Sequence, residues 1–163
     1  MRRAYLFSAG LRGAKLDRTN LARAMLIDAN LTGARLPGAK LTFANLGDAS
    51  SYGAQLGRAT LRGASLERAN LNVANLTGAG LNGTNLFSAN LTRANLNGVT
   101  LHNANLTRAN LFGANLVYAE LFNAYLTYAI LTDANLTHAN LTGVHWWQTT
   151  CPSGTVTSTA CPT

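Results

Sequence analysis

From Leu6 to Leu141 one apolar residue returns at every fifth position. Leucine fills 27 of these 28 places, and Ser51 fills the other. Two residues before each centre stands Ala in 25 of the 28 units, with Thr19, Thr84 and Val99 as the exceptions. The residue just before the centre is often Asn, and the two after it vary. The unit reads A-[N/x]-L-x-x, with no insertion between residues 4 and 144. Five is not a helical period, because leucines at that spacing wander around a helix surface. It is not a strand period either, because an odd step switches faces at each unit. The pattern closes if the chain turns a corner once per unit. Ala and Leu, two apart on a short extended segment, then face inward together. The residue between them faces out, and the two variable residues make the bend.

Glycine agrees with this placement. It occupies the second position after the centre at ten units, from Gly13 to Gly143. A turn that requires positive φ is where Gly carries no steric cost. Arg and Asp share the same position, so the sequence predicts mixed turn types. Leucine burial alone does not offset the entropy of ordering such a chain. The backbone hydrogen bonds between successive windings are therefore expected to be nearly complete. Outward asparagines such as Asn75, Asn95, Asn115 and Asn135 are expected to form side-chain ladders.

The uninterrupted A-[N/D]-L-x-x run resembles the pentapeptide repeat family. The resemblance implies an all-β fold, a right-handed quadrilateral β-helix in which four units close a coil of 20 residues. About seven coils then stack over residues 1–144, a rod roughly 34 Å long at about 4.8 Å per coil. Leucines 20 apart share a column, which sets Ser51 between Leu31 and Leu71. Ser51 is read as a tolerated core irregularity, its hydroxyl bonded to a nearby carbonyl or a water.

Residues 145–163 read as a C-terminal cap. Trp146 and Trp147 are expected over the last leucines, and Cys151 and Cys161 are expected to close a loop by a disulfide. Two cysteines do not make a four-ligand zinc site, and no His stands at finger spacing. The Trp and the "TTCPSG" stretch are also similar to the tails of some bacterial members of the family. A disulfide points to an oxidising, exported or periplasmic compartment. Against this, Arg2 and Arg3 are not followed by the apolar stretch of a signal peptide. The N-terminal end has almost no cap, which leaves an end-to-end homo-oligomer open.

Charge is sparse but uneven. The net charge is +7, and residues 1–75 hold 11 of the 13 Lys and Arg but only 4 of the 6 Asp and Glu. Lys15, Arg18, Arg35 and Arg58 fall on one face, a candidate surface for an acidic protein. Specific nucleic-acid recognition is not expected, because few aromatic residues interleave with these cations. No run is long enough for a membrane-spanning helix. There is no nucleophile–base–orienter set, no phosphate loop, and no metal or cofactor spacing. Asp28, Asp48 and Arg68 stack as a solvated set, and Tyr118 stacks with His138. The expected function is a non-catalytic scaffold or protein-interaction module. Two alternatives stand beside it. One is weak electrostatic binding to nucleic acid or anionic membrane. The other, implied by the resemblance, is a DNA-mimicking, quinolone-protecting partner of topoisomerases. Such mimics are acidic, and this chain is basic.

Overall fold

The computed structural model describes residues 3–161. Twenty-six parallel bridges, each joining residues 20 apart, run from Tyr5–Met25 to Ile130–Thr150. A constant offset of 20 with a corner every five residues makes a four-sided coil. The described residues contain no helix.

Four of the five amides in a repeat are satisfied by backbone. In the first coil the Leu6 N–H donates to Met25 O (2.7 Å) and the Ser8 N–H to Ile27 O (2.9 Å). The Met25 N–H donates back to Ala4 O (2.9 Å), and the Ala9 N–H closes the corner on Leu6 O (3.2 Å). The fifth amide, on the residue after each leucine, has no backbone acceptor.

Asparagine supplies the missing acceptor. All 13 Asn residues that precede a central Leu take the N–H two residues on with their own Oδ1, as Asn30 does for Thr32 (3.1 Å) and Asn110 for Phe112 (3.0 Å). This is a local Asx turn. Among the described residues, Asn-to-Asn ladders, the role expected for these side chains, occur only at Asn85–Asn105 and Asn95–Asn115. Proline follows the same logic. Pro37 and Pro152 both occupy the place whose N–H would be left over, so nothing is lost there.

The expectation of mixed turns is corrected. All thirty corner positions from Arg3 to Gln148 have positive φ, between 50 and 71°, and twenty of them carry a side chain. The ladder is the reason. Each corner amide must reach the carbonyl of the next coil, so every coil copies its neighbour, whatever the residue prefers. Glycine matters at some of these corners for space. A Cβ at Gly63 would meet the ring of Phe43, while one at Gly83, a coil further on, would meet nothing.

Inside, every central residue and every alanine-place residue from Leu26 to Leu131 is buried, Ser51, Thr84 and Val99 included. Leu6, Leu11 and Leu16 of the first coil are only partly covered. Thr84 at an alanine place turns its Oγ1 to Leu81 O (2.6 Å), and Thr19 does the same to Leu16 O (2.7 Å). Ser51 differs. Its amide holds the ladder, donating to Asn70 O (2.7 Å). Its Oγ, buried at a leucine place, has no hydrogen-bond partner among the described residues, so of the carbonyl or water expected for it the carbonyl is not found.

The winding does not stop at 144. Trp146 and Cys151 take the next two central positions and are buried, and Thr149 takes an alanine place with its Oγ1 on Leu126 O (2.7 Å). Leu131 N–H donates to Thr150 O (2.8 Å) and Asp133 N–H to Pro152 O (3.0 Å). The chain then folds back as a small antiparallel pair, β1 (Thr149–Thr150) with β2 (Val156–Thr157). The Cys151–Cys161 disulfide ties this return to the core (Cα–Cα 5.5 Å). Trp147 does not cover the leucines as expected. It sits at a corner, 57% exposed, because the residue after a central position points away from the column.

Candidate interaction surface

The four-sided coil sorts every outward residue into a file of positions 20 apart. Lys15, Arg18, Arg35 and Arg58 are all exposed on the face built by the units centred on Leu16, Leu36 and Leu56. Lys15 and Arg35 are bridge partners in adjacent coils. Arg35 is tied to Asp17 (3.0 Å). Lys15, Arg18 and Arg58 have no carboxylate within ion-pair reach among the described residues. Arg18 and Arg58 lie flat for a simple reason. Each is followed, 20 residues on, by a glycine, and its Cγ lies at van der Waals distance from the place a Cβ would take there, 3.5 Å at Gly38 and 3.7 Å at Gly78. The stems are thus packed on the coil while the guanidinium groups remain free. Arg93 repeats the arrangement over Gly113 (3.4 Å).

On the opposite side of the coil a file runs Ser8, Asp28, Asp48, Arg68, Ser88, Arg108, Tyr128. Arg68 grips Asp48 with two hydrogen bonds, Nε to Oδ1 (2.8 Å) and Nη2 to Oδ2 (2.7 Å). The Arg68 hydrogen bond holds the Asp48 carboxyl below its usual range, and the pairing raises the guanidinium further. Asp48 is thus committed to Arg68, with both of its carboxylate oxygens taken. Among the described residues no group of three or more His, Cys, Asp and Glu side chains converges to hold a metal.

The Tyr118–His138 stack expected from the 20-residue spacing is present, and other aromatic groupings stand beside it. Tyr125 and His145 stack face to face (centroids 4.3 Å, 7°), as do Tyr118 and His138 (5.0 Å, 14°). The Arg108 guanidinium sits between two rings, 5.9 Å from Phe87 and 5.8 Å from Tyr128. Reading the sequence in files of 20 finds all of these pairs except Phe87–Arg108, which are 21 apart. His102 lies edge-on to Phe122 (6.1 Å), and its Nε2 has no hydrogen-bond partner among the described residues.

Comparisons with known proteins place the chain. A family model for pentapeptide repeats matches eight copies, over residues 4–42, 54–93, 89–127 and 119–145. The unmatched gap of 43–53 contains Ser51. No match was found among curated proteins. Among solved structures the chain is similar to HetL of the cyanobacterium Nostoc sp. strain PCC 7120, described as a pentapeptide repeat protein involved in heterocyst differentiation regulation. That likeness has 30% identity over 94% of this chain and 87% of that chain, with a TM-score of 0.59. It is also similar to another pentapeptide repeat protein of Nostoc PCC 7120 (40% identity over 56% and 69%, TM-score 0.30). Full-length QnrB1, a plasmid-mediated fluoroquinolone resistance protein, is a more distant likeness (19% identity over 88% and 92%, TM-score 0.32). The repeat, the i-to-i+20 ladder and these matches converge: the chain belongs to the pentapeptide repeat family, and its fold is a right-handed quadrilateral β-helix.

Proposed function

We propose that the protein is a rigid, non-catalytic interaction module that docks an acidic protein partner on the face carrying Lys15, Arg18 and Arg58. One observation carries this reading: three exposed cations without carboxylates, on a flat face whose backbone is fixed at every repeat. Such a surface has little conformational entropy to lose on binding, and its charge steers an acidic partner towards it. HetL's described part in regulating differentiation supports a regulatory setting for a protein with no assembled chemistry of its own. Nucleic acid is the weaker fit. Cations repeated at multiples of about 4.8 Å along the rod do not keep step with phosphates, and no ring on this face offers a base a stacking platform. A quinolone-protecting DNA mimic is weaker still, because this surface carries the charge of a DNA binder. The Cys151–Cys161 bridge supports an oxidising, exported or periplasmic setting.

The test is a pull-down from the native host with the wild-type chain and with Arg18→Glu/Arg35→Glu/Arg58→Glu. The reading expects one acidic protein that is retained by the wild type, lost by the variant and released by salt. Equal capture by both proteins, or turnover of a small substrate by the purified chain, would overturn it.

A further inference from the structure

We propose that the opposite face, at the far end of the rod, is a second docking surface, for a partner-protein segment that carries a carboxylate between apolar side chains. The face is built by the units centred on Leu86, Leu106, Leu126 and Trp146. These lie two units away from the basic face in a four-unit coil, and so on the opposite side. It presents Phe87, Tyr125, Tyr128 and Trp147, and the last three are 46, 48 and 57% exposed. Large apolar groups gathered on one flat face mark an interaction site more often than scattered ones do. Arg108 is the one charged residue within residues 84–88, 104–108, 124–128 and 144–148.

The chemistry of the occupant follows from Arg108. It is exposed and has no ion-pair partner among the described residues. The one acid of the preceding face in these coils, Glu120, is instead hydrogen-bonded by Asn140 (2.8 Å). The rings of Phe87 and Tyr128 hold the guanidinium from the coil before and the coil after. That bracing removes much of the entropy cost of using it. Forty residues earlier in the same file, Arg68 shows what this corner does when a carboxylate is at hand. It takes Asp48 by two hydrogen bonds of 2.8 and 2.7 Å. Arg108 holds the equivalent corner with no acid supplied by the described residues, and with apolar rings around it. A carboxylate flanked by apolar groups completes it. Nucleic acid does not fit as well. A single cation neutralises too few phosphates, and Tyr125 and Tyr128 each have one ring face already taken, by His145 and by Arg108.

The experiment pans a random-peptide phage library on the full chain, then measures the enriched peptides by fluorescence anisotropy. Enriched peptides should carry Asp or Glu between apolar residues. Arg108→Gln and Tyr128→Ala should each weaken them about tenfold, as should Asp→Asn or Glu→Gln in the peptide. Arg18→Glu/Arg35→Glu/Arg58→Glu should leave them unchanged. Melting curves establish that both surface variants are folded. Three outcomes overturn the proposal. One is no acidic–apolar enrichment. Another is enriched peptides that respond to the triple reversal and not to Arg108→Gln, which would leave the basic-face reading standing. The third is self-association of the chain that Arg108→Gln abolishes, which would make the occupant a second copy.

Discussion

The two halves of this rod share a backbone and an interior but differ outside. The first half carries cations on one side, with Lys15, Arg18 and Arg58 unpaired. The second half carries rings on the opposite side, with Arg108 set among them. Leu36 and Leu106, one in each half, are equally buried, at 0% exposure. The ladder passes through both halves in the same way. Repeat architecture thus separates two tasks. The inward Ala and Leu and the corner geometry hold the fold, and the outward positions are released to vary. The two proposed surfaces lie on opposite sides and at opposite ends, a placement that would keep two partners apart.

The sharpest way to break this comparison is to attack the shared interior. Leu36→Ala and Leu106→Ala should each lose about 3–5 kcal/mol, and by equal amounts, in denaturant melts. Unequal losses would show that the halves are not the same column with different coats. Next in size is the one interior defect. Ser51 places an unpartnered hydroxyl between Leu31 and Leu71. Ser51→Leu fills that space and removes a buried polar group, and should stabilise the chain by about 1–3 kcal/mol. A fall in Tm would show that the coil has closed around serine too tightly to admit a leucine.

How much of this was legible beforehand follows from what each residue's job depends on. The inward leucines and alanines were readable, because a fixed period has one solution when no ordinary helix or strand fits it. The defect at Ser51 was readable for the same reason. The tail was less so. Trp146, Thr149 and Cys151 keep the register with unfamiliar residues, so a pattern defined by leucine ends early while the backbone continues. The role of Asn was misplaced. Its outward direction suggested ladders, but the stronger demand was local, the amide two residues on that the coil leaves over. Corner uniformity was not legible at all. Val73 at a φ of +50° contradicts its own preference, and only the neighbouring coils impose it. The Arg108 cluster joins residues 20 and 21 apart, and so emerges only when the sequence is wrapped.

A smaller effect separates space from conformation at the corners. Gly63 and Gly83 are in one file, both with φ of 63°. An alanine at either suffers the same backbone penalty, roughly 1 kcal/mol. At Gly63 it also meets the Phe43 ring, while at Gly83 it meets open space. Gly63→Ala should therefore cost about 1–3 kcal/mol more than Gly83→Ala, and Phe43→Ala should erase the difference. Equal costs in thermal melts would mean that the Phe43 ring swings aside freely.

The smallest effect concerns the pair that models the second docking surface, Asp48 with Arg68. Asp48 has its folded pKa lowered from 3.8, chiefly by the Arg68 hydrogen bonds. A carboxylate depressed on folding contributes stability that is full above its unfolded pKa and is lost as pH falls through the folded value. Arg68→Gln should therefore lower Tm slightly at neutral pH. The gap from wild type should close as the pH is taken below 3.8 and through the lowered folded value. Salt should shrink it as well, since both groups are exposed. The same titration on a peptide bound at Arg108 should show its affinity falling as the peptide carboxylate protonates. A Tm gap for Arg68→Gln that stays constant down to pH 2 would mean that packing, not charge, holds the corner, and would remove the precedent on which the carboxylate assignment at Arg108 rests.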